Sequence, residues 1–428
     1  MKKYILKNMF FGAIIGIILF LIPFHLLAKN SETINSDSLF YSPNEIIIQF
    51  KNNFNLDRRY REKFKNSGNA LLDSLNSLFR LSKILSLSPK NGFSSLTKIQ
   101  NKLRHTYLFQ FDEKKQTQEL LKHYQALKIT QITEPNYYYF LDGQKKLNIS
   151  SDDKIQLDRA AQLIRHHTPV IIGIIDTGVD WSRKDMVAHV WQNPVEKMDN
   201  KDNDGNGFVD DIRGYDFTLF NSSLNLGKNK SIDSDGHGTY LSAAIDRIIN
   251  YSTDVKNADV NKLMILKAAE KNLGGKTVFN AFSVSQAIIY AANNGANIVN
   301  FSACGKKPSQ ILKQAIDYAV NNSCTIIAAA GDENGSTPVY PAAFDNVISV
   351  AATDFNDRKT RSSNFGHWID IAAPGYFFDQ ISDTTNAAIS GTAVATAQVT
   401  GLAALLLSTE NKISSDSLKK RIIFNVLL

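Results

Sequence analysis

Two short motifs and one turn place an acid, an imidazole and a helix-entry loop in an order that suits acyl-transfer chemistry. Residues 170–175 form an apolar, β-branched run that ends in Asp176-Thr177-Gly178-Val179-Asp180, the pattern of a buried parallel strand carrying a carboxylate at its carboxyl end. Asp235-Gly236-His237-Gly238-Thr239 opens the apolar segment 241–249, and glycines on both sides let the backbone turn sharply and bring the imidazole to a helix start. Ser390-Gly391-Thr392-Ala393-Val394-Ala395 then runs into the apolar segment 399–407, a loop feeding a helix N-terminus, where a nucleophile can sit and an oxyanion can be stabilised. In such a site the acid orients the imidazole, the imidazole takes a proton from a hydroxyl, and the hydroxyl attacks. Here the third place carries the methyl group of Ala393.

Further motifs follow in a fixed order: AAAGD ending at Asp332, YPAAFDNVISVAA from Tyr340, SSNFG from Ser362, AAPG from Ala372 and SGTAVATAQV from Ser390. With DTGVD and DGHGT, the set resembles the subtilases, the subtilisin-like serine proteases, from about Ile155 to the C-terminus. The resemblance implies a three-layer α/β subtilisin-like fold with a mainly parallel sheet. It assigns Asp176 to orienting the imidazole, His237 to general base and then general acid, and position 393 to the nucleophile. It places the wall of the specificity pocket at Ser302-Ala303-Cys304-Gly305, where the family reads Ser-Leu-Gly-Gly, and an oxyanion donor at Asp332, where the family usually has Asn.

Departures from the pattern cluster around that site. Ala393 has no proton to give up, and loss of a triad member leaves only about 10³- to 10⁴-fold acceleration over water. A carboxylate at Asp332 repels a developing oxyanion. Cys304 adds a side chain where backbone pairs with substrate, and Val394, Ala397 and Gln398 stand where the family has Met-Ala-x-Pro-His. The expectation is therefore an exported pseudoprotease that works by binding an extended peptide or protein segment in its cleft. Two alternatives remain open: a serine-type endopeptidase with residual or unconventional activity, and a binding or inhibitory partner of another exported protein.

The elements that must position these residues follow from periodicity. Residues 281–293 and 308–320 carry helical spacing between apolar strands, among them 296–303 and 325–329, which gives a layered α/β reading without the family. Upstream, 45–50, 107–111 and 129–139 read as strands, 119–127 as a helix, and 71–87 as a helical middle. This order, with Glu134-Pro135-Asn136-Tyr137 in the last strand, resembles the subtilase propeptide. The expected domains are a signal peptide over 1–28, a small α+β propeptide-like domain over 42–142 and a subtilase domain over 151–428. The resemblance implies that the small domain docks intramolecularly with its tail in the cleft; without a nucleophile to cut the linker, it is expected to stay attached.

Met1-Lys2-Lys3, an apolar run over 9–23 and Leu26-Leu27-Ala28 have the anatomy of a signal peptide, hence export to the medium or cell envelope; left uncleaved, the run would act as a membrane anchor. The chain of 428 residues carries a formal charge of +7, but the basic excess lies in the signal and propeptide-like regions, and no basic stripe with stacking aromatics supports a nucleic-acid partner. Of the two cysteines, Cys304 ends one expected strand and Cys324 begins the next, so parallel neighbours would hold them about 15 to 20 Å apart, beyond disulfide reach. Asp202, Asp204, Asn206 and Asp210 alternate around Gly207 in a calcium-loop pattern, because closely spaced carboxylates repel unless a cation neutralises them. Structural calcium, with no catalytic cofactor, is the expected complement.

Overall fold

A computed structural model describes residues 40–54, 56, 64, 67–88, 98–112, 117–141, 168–183, 188–218, 233, 235–250, 261–272, 274–382, 385–409 and 413–425. The signal-peptide expectation and the linker 142–167 lie outside the described residues. In chain order the N-terminal part runs β1 (Tyr41–Phe50), α1 (Ala70–Leu78), β2 (Leu81–Ser86), α2 (Lys98–Arg104), β3 (Thr106–Phe111), α3 (Thr117–Gln125) and β4 (Thr130–Phe140). The larger part begins with β5 (Val170–Asp176), β6 (Gly214–Asp216), α4 (His237–Ile249), β7 (Asn261–Lys267), β8 (Ala269–Lys271) and β9 (Thr277–Asn280). It continues with α5 (Ala281–Asn293), β10 (Ile298–Phe301), α6 (Gln310–Asn321), β11 (Thr325–Ala329), β12 (Val347–Thr353) and β13 (Ile371–Pro374). The hairpin β14 (Tyr376–Ser382) and β15 (Thr385–Ser390), then α7 (Thr392–Thr409) and α8 (Ser415–Asn425), complete it.

The central sheet has the order β13-β12-β11-β10-β5-β7-β6, and every pairing in it is parallel. Such strands are covered on both faces, which is why they read as continuous apolar runs. One face packs against α5 and α6 around Phe282, Ile288, Leu312 and Ile316. The other packs against α4 and α7 around Leu241, Ile245, Val394 and Val399. Pairing β5 with both β10 and β7 makes the carboxyl end of β5 a topological switch point, where open α/β sheets place their sites. The first charged residue there is Asp176.

A second sheet has the order β2-β3-β1-β4-β9-β8. It is built mostly from the N-terminal strands, over a core of Ile46, Phe50, Leu72, Phe109 and Tyr124, and is completed by two strands of the larger part. β4 runs antiparallel to β9, with Tyr138 opposite Asn280 and Phe140 opposite Val278. Residues 40–428 thus form one compact unit.

Two expectations need correction. The helical middle 71–87 is a helix only to Leu78; Arg80 turns to φ 51° and Leu81–Ser86 becomes β2, antiparallel to β3. Its leucines and isoleucine suit a helix face as well as a strand, and pairing with the backbone of β3 decides between them. The strand expected over 296–303 is confined to Ile298–Phe301, since residues 302–305 leave the central sheet to pair elsewhere. Cys304 and Cys324 are both buried and are not joined in a disulfide, and burial pushes the Cys324 thiol up to about 12.

Candidate active site

His237 is the first residue of α4, and three features put it there. Gly236 adopts φ 91° ahead of the helix, in the left-handed region that favours glycine. Asp233 then caps the first turn, accepting from Gly236 N at 2.7 Å and from Thr239 N at 2.8 Å. Gly238 lets the turn approach β5, because a Cβ there would sit 2.3 Å from the Gly178 carbonyl oxygen. The result is a contact of 2.7 Å between His237 Nδ1 and Asp176 Oδ1, with both side chains 1% exposed. Asp176 is itself held by Thr177, whose backbone N–H donates to Oδ1 at 2.8 Å and whose hydroxyl accepts from Gly238 N at 2.8 Å.

Two polar atoms of this pair, His237 Nε2 and Asp176 Oδ2, are buried with no hydrogen-bond partner among the described residues. Burial is the largest influence on the imidazole and lowers its pKa, but the charge and hydrogen bond of Asp176, helped by Asp235 and Asp233, outweigh it and leave the pKa raised. The pair is electrostatically set for a general base that gains a proton.

The third position lies at the start of α7, which packs against α4 closely enough that a Cβ on Gly401 would come within 2.7 Å of Ile248. Ala393 is 6% exposed. Its carbonyl accepts from Ser302 Oγ at 3.4 Å, the end of a buried relay in which Thr400 Oγ1 donates to Asn300 Oδ1 at 2.9 Å and Asn300 Nδ2 donates to Ser302 Oγ at 3.0 Å.

Asp332 is fully engaged in holding the same turn. Its Oδ2 accepts from the backbone N–H and the hydroxyl of Thr392, each at 3.0 Å, and its Oδ1 accepts from Ser362 Oγ at 3.1 Å. A carboxylate at a helix N-terminus complements the helix dipole, so Asp332 serves as a cap on α7. Gly391, at φ 135°, leaves room for it; a Cβ there would lie 2.7 Å from Asp332 Oδ2. Gln398 Nε2 donates to the Pro374 and Tyr376 carbonyls at 2.9 and 2.8 Å, which ties α7 to the start of the β14–β15 hairpin.

The segment after β10 faces β4. Phe140 N donates to the Cys304 carbonyl at 2.8 Å, and Cys304 N to the Phe140 carbonyl at 3.1 Å. Tyr138–Phe140 thus pairs with β9 along one side, and Phe140 pairs with Cys304 on the other. Tyr139 is fully buried, edge-on to Phe301 with ring centroids 6.1 Å apart. Gly305 accommodates it, since a Cβ would meet the Tyr138 carbonyl at 2.7 Å and the Tyr139 ring at 2.8 Å. Helix N-termini finish the contact: Glu134 accepts from Ser309 Oγ, Gln310 N and Ile311 N at 2.5, 2.9 and 3.2 Å, and Asn136 Oδ1 accepts from Phe282 N at 3.1 Å.

These residues belong to a known family. A family model described as "Subtilase family" matches residues 167–426. The chain belongs to the subtilase family. Among curated relatives, thermitase of Thermoactinomyces vulgaris is 31% identical over 275 residues, covering 64% of this chain and 85% of thermitase. A thermophilic serine proteinase of a Bacillus species is 30% identical over 239 residues, 55% of this chain, and the chain spans only 52% of that relative's length. Two solved structures share the fold at lower identity. Fervidolysin of Fervidobacterium pennivorans aligns with TM-score 0.63 at 19% identity over 89% of this chain and 57% of its own. A mutant of the epidermin leader peptide processing serine protease of Staphylococcus aureus aligns with TM-score 0.55 at 17% identity over 90% of this chain and 92% of its own. Both alignments cover more of this subtilase than residues 167–426, so the shared fold extends into the N-terminal strands.

The acidic loop gathers a set that overlaps only in part with the one read from the sequence. Carboxylate oxygens of Asp202, Asp204 and Glu196 lie within 4.8 Å of one another, and Asp202 Oδ1 is buried without a partner among the described residues. Asp210 is outside that group of three; its Oδ1 accepts from the backbone N–H groups of Asp199 and Asn200 at 3.1 and 3.0 Å, and its Oδ2 is buried without a partner among the described residues. Asn206 points its amide nitrogen at Asp204 and Asp211, at 3.0 and 2.9 Å. Sequence reasoning missed Glu196, which lies outside the alternating motif, and β9, whose four residues give too short a pattern. The N-cap residue Asn280 before an apolar helix was the available signal for the end of β9.

Proposed function

We propose that this subtilase is an exported pseudoprotease: a peptidase scaffold with an oriented acid–base pair and no nucleophile. The observation that carries the reading is Ala393, a methyl group at the entry to α7, in a site where the buried Asp176–His237 contact of 2.7 Å is intact. A base without a hydroxyl to deprotonate has no first step in this mechanism. Asp332, committed to Thr392 and Ser362, supplies negative charge where an oxyanion would need a donor.

The extended segment on the cleft wall is the chain's own β4, and the N-terminal layer stays in place as a permanent cover. Strand addition of this kind draws its strength from main-chain hydrogen bonds, here along one edge of Tyr138–Phe140 and on the other at Phe140. A foreign peptide must displace that strand, which favours a silent, self-covered protein over one that captures peptides freely. Export rests on the basic start, apolar run and Ala28 of the first 28 residues, and is checked by the N-terminal mass of protein recovered outside the cell. Glu196, Asp202 and Asp204 offer all-oxygen ligands that suit calcium; bound there, the ion would cancel their repulsion and stiffen the loop.

Hydrolysis of unstructured peptides tests the central claim. The native chain is expected to show none above a His237→Ala control. Turnover by the native chain that His237→Ala abolishes would overturn the proposal and establish an unconventional endopeptidase.

A further inference from the structure

Two acidic side chains meet where the N-terminal strands join the peptidase-like layer, and the site chemistry uses neither. Glu45, on β1, is 5% exposed, and its Oε2 accepts from Asn136 Nδ2 on β4 at 2.7 Å. Glu270, on β8, is partly buried, and its Oε1 accepts from Asn280 Nδ2 at the end of β9 at 2.8 Å. Asn136 and Asn280 also cap the start of α5, through Phe282 N and Ser283 N. The two carboxyls therefore flank the seam at which β4 pairs with β9, one contributed from each side.

The charged and titratable groups around the pair come from several elements. Lys83 on β2 acts on Glu45. Tyr138 on β4 feels both carboxylates. Asp216 on β6 acts on Glu270 and is itself paired with Lys267 on β7 at 3.5 Å. Lys271, next to Glu270, is drawn to Asp235 at 3.3 Å. Closing the seam thus brings two acids into a region whose strongest fixed partners are neutral amides, and burying two like charges costs free energy unless they take up protons.

We propose that Glu45 and Glu270 form a proton-operated latch that holds the N-terminal layer to the peptidase-like layer more tightly when protonated than when charged. The latch is a property of the seam and stands whether or not the site hydrolyses peptides. Burial is the largest influence on both groups and pushes both up. Glu270 reaches about 7 from an ordinary 4.5, the amide of Asn280 opposing the rise and the Glu45 and Asp216 charges adding to it. With the seam closed, Glu270 titrates at about 7; opening it removes the burial and the Glu45 charge and lets that value fall toward the ordinary 4.5. Closure is therefore most favoured below pH 4.5, weakens between 4.5 and 7, and is constant above. Each unit of difference is a tenfold change in equilibrium, so Glu270 alone raises the open population on the order of 10²-fold across that window.

Amide hydrogen exchange on the full chain reads this directly. Protection factors for Tyr139, Phe140 and Phe279, whose pairing crosses the seam, are expected to fall up to about 10²-fold between pH 4.5 and 7.5, while those of β11 stay level. Glu270→Gln keeps the acceptor for Asn280 and is expected to flatten the slope. Glu45→Gln, which independently removes the neighbouring charge, is expected to reduce it and serves if Glu270→Gln does not fold. The proposal is overturned if the native seam shows no slope or a rising one, if β11 follows it equally, or if the slope survives both substitutions.

Discussion

Restoring the missing hydroxyl asks how much of the catalytic apparatus is left. In Ala393→Ser the new side chain would stand at the head of α7, served by a buried imidazole whose Nε2 has no other partner among the described residues and whose pKa Asp176 helps to hold up. The obstacle is Asp332. Both of its oxygens are engaged within 3.1 Å by Thr392 and Ser362, so its charge is fixed one residue from the nucleophile position. Removing a single oxyanion donor costs about 10² to 10³ in kcat, a magnitude measured in a relative of this chain, and a fixed anion does worse than an absent donor. Ala393→Ser alone is therefore expected to cleave slowly, and Ala393→Ser with Asp332→Asn faster by at least about 10²-fold. The assay needs no external substrate: β4 is already paired with Cys304 at Phe140, so the first product is a cut in the chain's own backbone shortly after Leu141, timed on a gel and placed by mass spectrometry. Asp332→Asn loses a charge–dipole contact worth about 0.3 to 1 kcal/mol, and thermal melts separate that cost from the gain in rate. Equal rates for the single and double variants would refute the role given to Asp332. A double variant that folds, keeps the imidazole titration of the native chain and still does not cut itself would refute the account of the site as one hydroxyl and one donor short.

Other perturbations test separate parts of the account. Gly305→Ala forces a methyl group to within 2.7 Å of the Tyr138 carbonyl; overpacking of this kind costs about 1 to 3 kcal/mol, and should appear as a lower melting temperature with faster exchange in β4, whereas an unchanged melt would mean the wall yields freely. The imidazole of His237 should titrate above 6.5 by NMR, so its contribution to stability is complete below 6.5 and is lost as pH rises through the folded value; in Asp176→Asn burial is opposed only by the smaller effects of Asp235 and Asp233 and the midpoint should fall, and a midpoint that did not move would show that Asp176 is not the main support. Calcium should raise the melting temperature, by an amount equivalent to about 2.7 kcal/mol at a hundredfold excess over Kd. Glu196→Gln should remove that response, and an insensitive native protein would exclude the site.

The pattern of legibility in the sequence follows from the physics of each signal. Buried parallel strands and the helices between them were readable because each is a long apolar period bounded by turns, so α5 and β11 fall where periodicity put them. Asp176 and His237 were readable because glycines mark where the backbone must bend to bring them together. β2 was not, since its leucines fit a helix as well as a strand until β3 is beside it. Nor was the pairing of Tyr138–Phe140 with β9 and Cys304, a contact between segments more than a hundred residues apart that no local pattern encodes. Glu196 was missed because it precedes the alternating motif by six residues and joins the acidic loop only through its bonds from the backbone N–H groups of Asn203 and Asp204.

Three of the departures from the family pattern have a structural use, and on the proposed reading this bears on how an inactive site would persist. Asp332 caps α7, Gln398 fastens the hairpin to that helix, and Cys304 presents its backbone to Phe140. Gln398 lies buried and its amide nitrogen is shared by two carbonyls, so replacing it leaves polar groups to be satisfied anew at about 1 to 3 kcal/mol each, whereas Cys304 acts through backbone groups that any residue would supply. The acid–base pair is held by the same logic: removing Asp176 would leave a buried imidazole without its partner, and removing His237 would leave a buried carboxylate without its own. The group with no such structural claim is His237 Nε2, buried without a partner among the described residues. On the proposed reading, a site held together by these hydrogen bonds loses nothing of its fold when position 393 carries a methyl group, because none of the bonds named here is made by that side chain.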